Sequence, residues 1–259
     1  MKVASIYAEY RDHMGGDLMV VNAARTSFGK ESDWHEPPSR AFPGGRLSAG
    51  DESLVRFLAL GYRTKEWNEL AEIVAMEVDH EEVKRVLRRF KKAAQHWAPF
   101  GHPHLQIRMK LPLFLARQFV KHQVGGVWSE ESRRYMSSEP EFWFPAQWQK
   151  RPEDIKQGAS GLADGQDELF ELSYEHTQAC LDVYNEFLRR GVAPEEARLH
   201  LPLNTMTTVT WTGSLLFWSR VANQRLDGHA QHAAQVLAQY LSDIAQPLFP
   251  VSWRELVEN

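Results

Sequence analysis

Residues 104–111, HLQIRMKL, alternate apolar and polar with a period of two, and at Pro112 that period stops. A strand is therefore expected over His104–Leu111. Proline has no N–H to donate and a fixed φ, which suits the first turn of a helix, so Pro112 is expected to open one directly. In that helix Leu113, Phe114, Ala116, Phe119 and Val120 pack, while Arg117, Gln118 and Lys121 remain available to a site.

Helical spacing recurs elsewhere. Leu54, Phe57 and Leu58, then Leu70, Ile73 and Val74, then Val83, Val86, Leu87 and Phe90 predict several short helices between Asp51 and Gln95. Two longer helices are expected, Asp167–Arg190 ending at Gly191 and Gly228–Ile244 ending before Pro247. Val3–Tyr10 suits an opening strand, LMVVNAARTSF a helix after Met14-Gly15-Gly16-Asp17, and the Thr- and Val-rich Leu203–Trp211 another strand. No regular βαβ alternation links these elements, which points to the α+β class. The expectation is a single domain over residues 1–259, with a small mixed or antiparallel sheet packed by several helices, two of them long and in the C-terminal half. Residues 30–50, with three prolines, read as an excursion loop, and 149–165 as an internal linker.

Charge narrows the partners. Thirty Lys and Arg against thirty-four Asp and Glu leave −4, so no global basic field draws the chain to nucleic acid or a membrane surface. An anionic ligand must be bound locally. The start, MKVASIYAEYRD, lacks the apolar core and cleavage site of a secretion signal, and no run approaches the roughly 18 apolar residues of a membrane span, so the expected compartment is the cytoplasm. One cysteine, Cys180, precludes an intrachain disulfide and a thiolate zinc cluster but leaves a lone catalytic thiol open. His96, His102, His104 and His122 do not form a helix-face pair with a carboxylate, so no metal is expected. The tryptophans are scattered and suit packing, although Trp128 could stack on a planar ring.

Residues 117–135, RQFVKHQVGGVWSEESRRY, concentrate the polar chemistry. Arg117, Lys121, Arg133 and Arg134 stand close in sequence, with Gln118, His122, Gln123, Ser129 and Ser132 among them. Gly125-Gly126 permits a sharp turn, and Ser132-Arg133-Arg134 offers hydroxyl and guanidinium donors that suit a phosphate. On charge alone a solvated basic helix end is an equal alternative.

The longer stretch FGHPHLQIRMKLPLFLARQFVKHQVGGVWSEESRRY resembles the signature region of the flavin-dependent thymidylate synthases: a His-flanked loop, a strand, an Ala-Arg-Gln helix, then Arg-His-Arg and Glu-x-Ser-x-Arg-Tyr. MGGDLMVVNAARTSFGK is similar to the family's Ala-Ala-Arg-x-Ser-Phe element. EEARLHLPLNTMTTVTWTGSLLFWSRVANQRLDGHAQ is similar to its Ala-Arg-x-x-Leu-Pro element followed by an Arg and His-Ala-Gln. The resemblance implies reductive methylation of dUMP to dTMP. The one-carbon donor would be 5,10-methylenetetrahydrofolate, the hydride source NADPH-reduced FAD, and the sites would be shared between subunits of a homotetramer.

By that resemblance Gln118, Lys121, Glu130, Ser132, Arg133, Arg134 and Arg198 line the dUMP site, and Arg225 is the catalytic guanidinium that polarises the uracil. Ser27, His96, Lys121, His122, Gln123, Glu130 and Ser214 are its FAD residues; Ser214 stands where Asn is common, and Ala98 where Thr is common. His229 and Gln231 begin the last expected helix. Two departures mark this chain. Lys121-His122-Gln123 replaces Arg-His-Arg, exchanging a planar fork for a point charge and losing the third cation. One extra residue precedes Glu130, which Gly125-Gly126 can absorb. FAD-dependent modification of another pyrimidine nucleotide, such as hydroxymethylation, and a non-catalytic nucleotide-binding role remain open alternatives. Unrelated thymidylate synthases use a thiol in a charged pocket, whereas Cys180 in HTQACLDVYNEFL reads as a packing residue.

Overall fold

The computed structural model describes residues 1–61, 68, 72, 96–153 and 158–258, so the helices expected around Leu70–Phe90 lie outside the described residues. In chain order the elements are β1 (Lys2–Val3), β2 (Tyr7–Met14), α1 (Asp17–Arg25), α2 (Ala49–Leu60), β3 (His104–Pro112), α3 (Leu113–Phe119), β4 (Gly126–Glu130) and β5 (Glu141–Phe142). There follow α4 (Gln166–Arg189), the short α5 (Pro194–Ala197), β6 (Met206–Ser214), α6 (Leu215–Arg225), α7 (His232–Ala245) and α8 (Pro250–Trp253). The α+β expectation holds. A four-stranded sheet has the order β2-β3-β6-β4, and β1 pairs in parallel with β5 through Lys2–Glu141 and Val3–Phe142.

The alternation in residues 104–111 works as expected: Leu105, Ile107, Met109 and Leu111 are all buried. Helix α3 follows with no intervening loop. Pro112 sits just before it, in an extended conformation, and the N–H groups of Leu113 and Phe114 bond to the carbonyls of Thr205 and Leu203. Donors at the start of a helix lack partners within it, so this brace ties α3 to the approach to β6.

The chain forms two compact units. The first comprises Met1–Arg11, Gln106–Thr212 and Val221–Leu241; the second comprises Asp12–Leu105, Gly213–Arg220 and Ser242–Asn259. In the first, the buried Val209, Trp211 and Phe119 join the apolar face of β3, with the Phe119 and Trp211 rings edge to face at 6.3 Å. A second apolar cluster gathers Phe142, Leu181, Tyr184 and Ala197. Complete burial of such side chains contributes about 1.5–3 kcal/mol each. Lys110 also meets Glu141.

In the second unit α1 packs on α2 and α8. The Asp17 carboxylate accepts the N–H groups of Val251 and Ser252 at 2.7 and 3.0 Å, where α8 begins. Burial nevertheless pushes its pKa up. Residues 31–47 contain no helix, as expected for an excursion loop. They are held by the Glu36–Arg46 bridge and by Asn22, whose side chain both donates to and accepts from the Ser32 backbone.

Several boundaries differ from the sequence expectations. The opening strand expected over Val3–Tyr10 is split into β1 (Lys2–Val3) and β2 (Tyr7–Met14). The last long helix begins at His232 rather than Gly228, because Asp227 captures the His229 N–H and Gln235 reaches the carbonyls of Asp227, Gly228 and Ala230. A side-chain-braced turn thus takes the place of the first helical turn. The second Thr-rich strand runs from Met206 to Ser214, later than Leu203–Trp211. Around the expected linker, Gln149 bridges Leu162, and Gln166 bonds Trp148 N, Trp148 O and Ala163 O. No helix among the described residues is long and apolar enough to cross a membrane.

Candidate active site

In the first unit α3 delivers Gln118 and then, one turn later, Lys121 and His122. The His122 backbone N–H bonds to the Phe119 carbonyl, which holds the main chain in a turn just beyond the helix end. Arg225, the last residue of α6, arrives at the same point from 103 positions away in sequence. Its Nε donates to His122 Nε2 at 3.2 Å and one Nη to the Gln118 carbonyl at 3.2 Å, and its guanidinium carbon lies 5.5 Å from the Phe119 ring centre. A guanidinium has no acceptor, so the bonded His122 nitrogen must carry a lone pair. Burial, and then the Arg225 charge, hold the His122 pKa below its usual value. Burial lowers that of Arg225 as well. Gln118 uses its own amide to donate to Gln231 at 2.5 Å.

The next turn of chain carries the other cations. Gly125 adopts φ 90°, a left-handed conformation that a side chain disfavours, where the extra residue was expected to be absorbed. Strand β4 then places Glu130 between two donors, Trp128 Nε1 at 3.1 Å and Thr207 Oγ1 at 3.1 Å. Trp128 itself meets Trp211 edge to face at 4.9 Å, a packing contact. Ser132 Oγ accepts the Arg134 N–H, so it acts as a turn-former. Arg133 donates to the Ser138 carbonyl but leaves Nε buried and unbonded. Arg134 and Arg198 converge on Glu195, the first on its carboxylate at 3.4 Å and the second on its carbonyl at 3.2 Å. Lys121 and Gln123 are exposed, without a partner among the described residues.

The second unit holds Ser27 and His96, and brings them to one cavity of about 770 Å³. Its walls include Phe28, Phe57, Trp97 and Arg25. The His96 ring stands 5.3 Å from that of Phe57, and the His96 backbone N–H bonds to the Leu58 carbonyl. Phe28 is 77% exposed and Trp97 60%, aromatic area suited to covering by a planar ligand. Arg25 is fixed by Asp51 at 2.5 Å, and Ser32 and Ser48 donate to the same carboxylate. Ser214 lies elsewhere in this unit, buried, with Oγ accepting the Phe217 N–H at the start of α6.

The expected residues therefore fall into five places: the Gln118–His122–Arg225 group with the exposed Lys121 and Gln123 beside it in sequence, Glu130 with Thr207, the Ser132–Arg134 turn with Arg133 and Arg198, the Ser27–His96 cavity, and Ser214 at the start of α6. Glu195 and Thr207 were not anticipated. Glu195 had a signal, since it lies three positions before Arg198 in a Pro-Glu-Glu-Ala-Arg helix start; Thr207 looked like any strand threonine. His229 and Gln231 occupy the turn before α7, and Gln231 reaches the group through Gln118.

The strand, the Ala-Arg-Gln helix, the arginine-rich turn and the arginine that ends α6 are elements of one family's fold. The family model described as thymidylate synthase complementing protein matches residues 11–251, and the chain belongs to that family. Among its relatives is the flavin-dependent thymidylate synthase of Wolbachia pipientis wMel, 28% identical over 252 residues, covering 95% of this chain and 72% of the relative. That of Thermosipho africanus (strain TCF52B) is 29% identical over 241 residues, covering 92% and 85%. The fold is shared with the UMP/dUMP methylase PolB from Streptomyces cacaoi, solved with 5-Br dUMP, at TM-score 0.72 and 20% identity over 98% of this chain and 96% of that one.

Proposed function

We propose that this chain is a flavin-dependent thymidylate synthase that methylates dUMP to dTMP, acting as one domain over residues 1–259. The observation that carries the reading is the Arg225–His122–Gln118 group, in which Arg225 meets two other expected site residues that lie 103 and 107 positions before it. Family membership and the names of the relatives support it.

Arg134, Arg198 and Lys121 bind the nucleotide phosphate, with Ser132 shaping the turn that presents them. Arg225, held by His122 and Gln118, supplies a fixed cation to the uracil oxygens as negative charge develops on the ring, an electrostatic role needing no reorganisation at the moment of reaction. A neutral His122 orients that cation without competing charge.

The Ser27–His96 cavity fits a flavin in size and in its aromatic walls, and the exposed Phe28 and Trp97 offer stacking area. Ser27 and His96 contact FAD in that cavity; by the resemblance His122, Lys121, Gln123, Glu130 and Ser214 are FAD residues as well. Reduced flavin supplies the hydride, NADPH the electrons and methylenetetrahydrofolate the carbon. The active form is a cytoplasmic homotetramer with shared sites. Helix α4 supports assembly, because it leaves Leu172 66% and Val183 41% exposed.

The visible spectrum tests the reading: flavin bands bleached by NADPH are expected. Colourless protein with no affinity for FAD overturns it. Mass analysis of the product separates methylation from hydroxymethylation, the alternative that Lys121-His122-Gln123 keeps relevant. Nucleotide binding without NADPH oxidation marks a non-catalytic homologue.

A further inference from the structure

In the four-stranded sheet β4 lies beside β6, and the Glu131 N–H bonds to the Thr208 carbonyl across them. Residues two apart on a strand share a face. Trp128 and Glu130 on β4 therefore stand together, as do Thr207, Val209 and Trp211 on β6. The two sets meet twice, ring against ring for Trp128 and Trp211, hydroxyl against carboxylate for Thr207 and Glu130.

Thr207 is out of keeping with its neighbours. It is 5% exposed and shares its face with the buried Val209 and Trp211, where a valine would leave no hydroxyl to satisfy. That hydroxyl donates to Glu130 Oε1 at 3.1 Å, and Trp128 Nε1–H donates to Glu130 Oε2 at 3.1 Å. Each carboxylate oxygen thus holds one donor and keeps capacity for another. Glu130 itself is exposed, and no Lys or Arg pairs with it among the described residues. Two donors, one of them buried, hold a carboxylate that no cation neutralises.

We propose that Thr207 and Trp128 are positioning residues, which fix the Glu130 carboxylate as the acceptor for a donor group of the nucleotide. The inference rests on the synthase reading of this site. At neutral pH the phosphate and carbonyl oxygens of dUMP accept hydrogen bonds, so its donors are the 3′-hydroxyl and the uracil N3–H. A carboxylate already held in one rotamer loses no side-chain freedom when it takes either, and affinity gains by that preorganisation.

Calorimetric titration of the purified protein with dUMP tests this. Thr207→Val should weaken binding about three- to tenfold, less than the loss of a direct bond to a charged group, since Trp128 still holds the other oxygen. Its melting temperature should stay level or rise, because a buried hydroxyl is deleted. Thr207→Ser returns the donor and should return affinity to within twofold of wild type. In a Glu130→Ala background, Thr207→Val should change binding no further. A threonine that only braced the sheet would cost stability and weaken binding in both backgrounds. Dideoxyuridylate, without the sugar hydroxyl, and N3-methyl deoxyuridylate identify the donor, as Thr207→Val should lose its effect on one of them. Undiminished dUMP binding in Thr207→Val overturns the proposal, as does a full effect in Glu130→Ala or on both analogues. Should Thr207→Val not fold, undiminished binding in Trp128→Phe, which keeps a ring against Trp211 and removes the N–H, does the same. Wild-type protein that fails to bind dUMP overturns the synthase reading as well, whereas wild-type binding that the variants leave intact overturns this inference alone.

Discussion

In the second unit Arg25 and Arg56 each meet a buried carboxylate, Asp51 at 2.5 Å and Glu255 at 3.1 Å. In the first unit Lys121 has no partner among the described residues, Arg133 leaves a buried nitrogen unbonded, and Arg134 and Arg198 share the half-exposed Glu195. Neutralised cations brace helices, whereas incompletely neutralised ones keep their capacity for an anion. Net charge does not reveal this difference; the allocation of carboxylates does. If it is right, substitutions in the first unit should disable chemistry and spare stability, and those in the second should do the reverse.

The largest effect is expected at Arg225. Arg225→Gln removes the charge and keeps some hydrogen bonding, and kcat should fall about 10²- to 10³-fold, the scale for losing one preorganised donor. Melting temperature and flavin spectrum should stay near wild type. A large stability loss with kcat preserved would move Arg225 to the structural side of the comparison.

Asp51→Asn tests the other side. It should cost about 2 kcal/mol, less than a fully buried pair because Arg25 remains partly exposed. Burial alone raises the Asp51 pKa, but bonds from Arg25, Ser48 and Ser32 outweigh it, and the net shift is downward from 3.8. A depressed carboxyl stabilises the fold above its unfolded value and loses that contribution as pH falls through the folded one. Wild-type stability should therefore drop in acid below pH 3.8, and the Asn variant should lack that component in urea titrations across the range.

Arg198→Ala should raise KM for dUMP about tenfold with little change in kcat, since it removes binding to a group remote from the reacting ring. A smaller effect, but a more diagnostic one, concerns His122. Its imidazole should titrate below 6.5 by NMR and move up in Arg225→Gln, because one of the two causes of the shift is gone. The sign for stability follows: with a depressed folded pKa, the unfolded chain takes up the proton first, so stability falls as pH drops from 6.5 through the folded value. An unchanged His122 pKa in the variant would deny the coupling.

The sequence foreshadowed these features unevenly. Strand β3 and helix α3 were legible because a period-two pattern and a proline are local signals. The Arg225–His122 contact was not, since nothing local ties residue 225 to residue 122; the resemblance assigned Arg225 to dUMP and His122 to FAD. Ser214 carries a role that the resemblance did not include. The position was marked for cofactor, and its hydroxyl caps α6. The shift of the α7 start was hidden for another reason: Asp227 and Gln235 brace a turn through side-chain bonds that hydrophobic spacing does not register.

Cys180 gives the comparison its smallest and strictest case. Its sulfur lies 3.6 Å from His176 Nε2 along one face of α4, a spacing that elsewhere activates a thiolate. Activation alone does not make a nucleophile useful, because a substrate must also sit against it with its charge compensated. Neither residue lines the Ser27–His96 cavity, and Arg134, Arg198 and Arg225 make their contacts elsewhere. A flavin hydride route needs no thiol. Cys180→Ser should thus keep kcat within about twofold and the flavin spectrum unchanged, with at most a small packing loss, since the side chain is only partly buried. Abolished turnover with flavin intact would mean that the uracil is activated by sulfur after all, and that the guanidinium group serves binding alone.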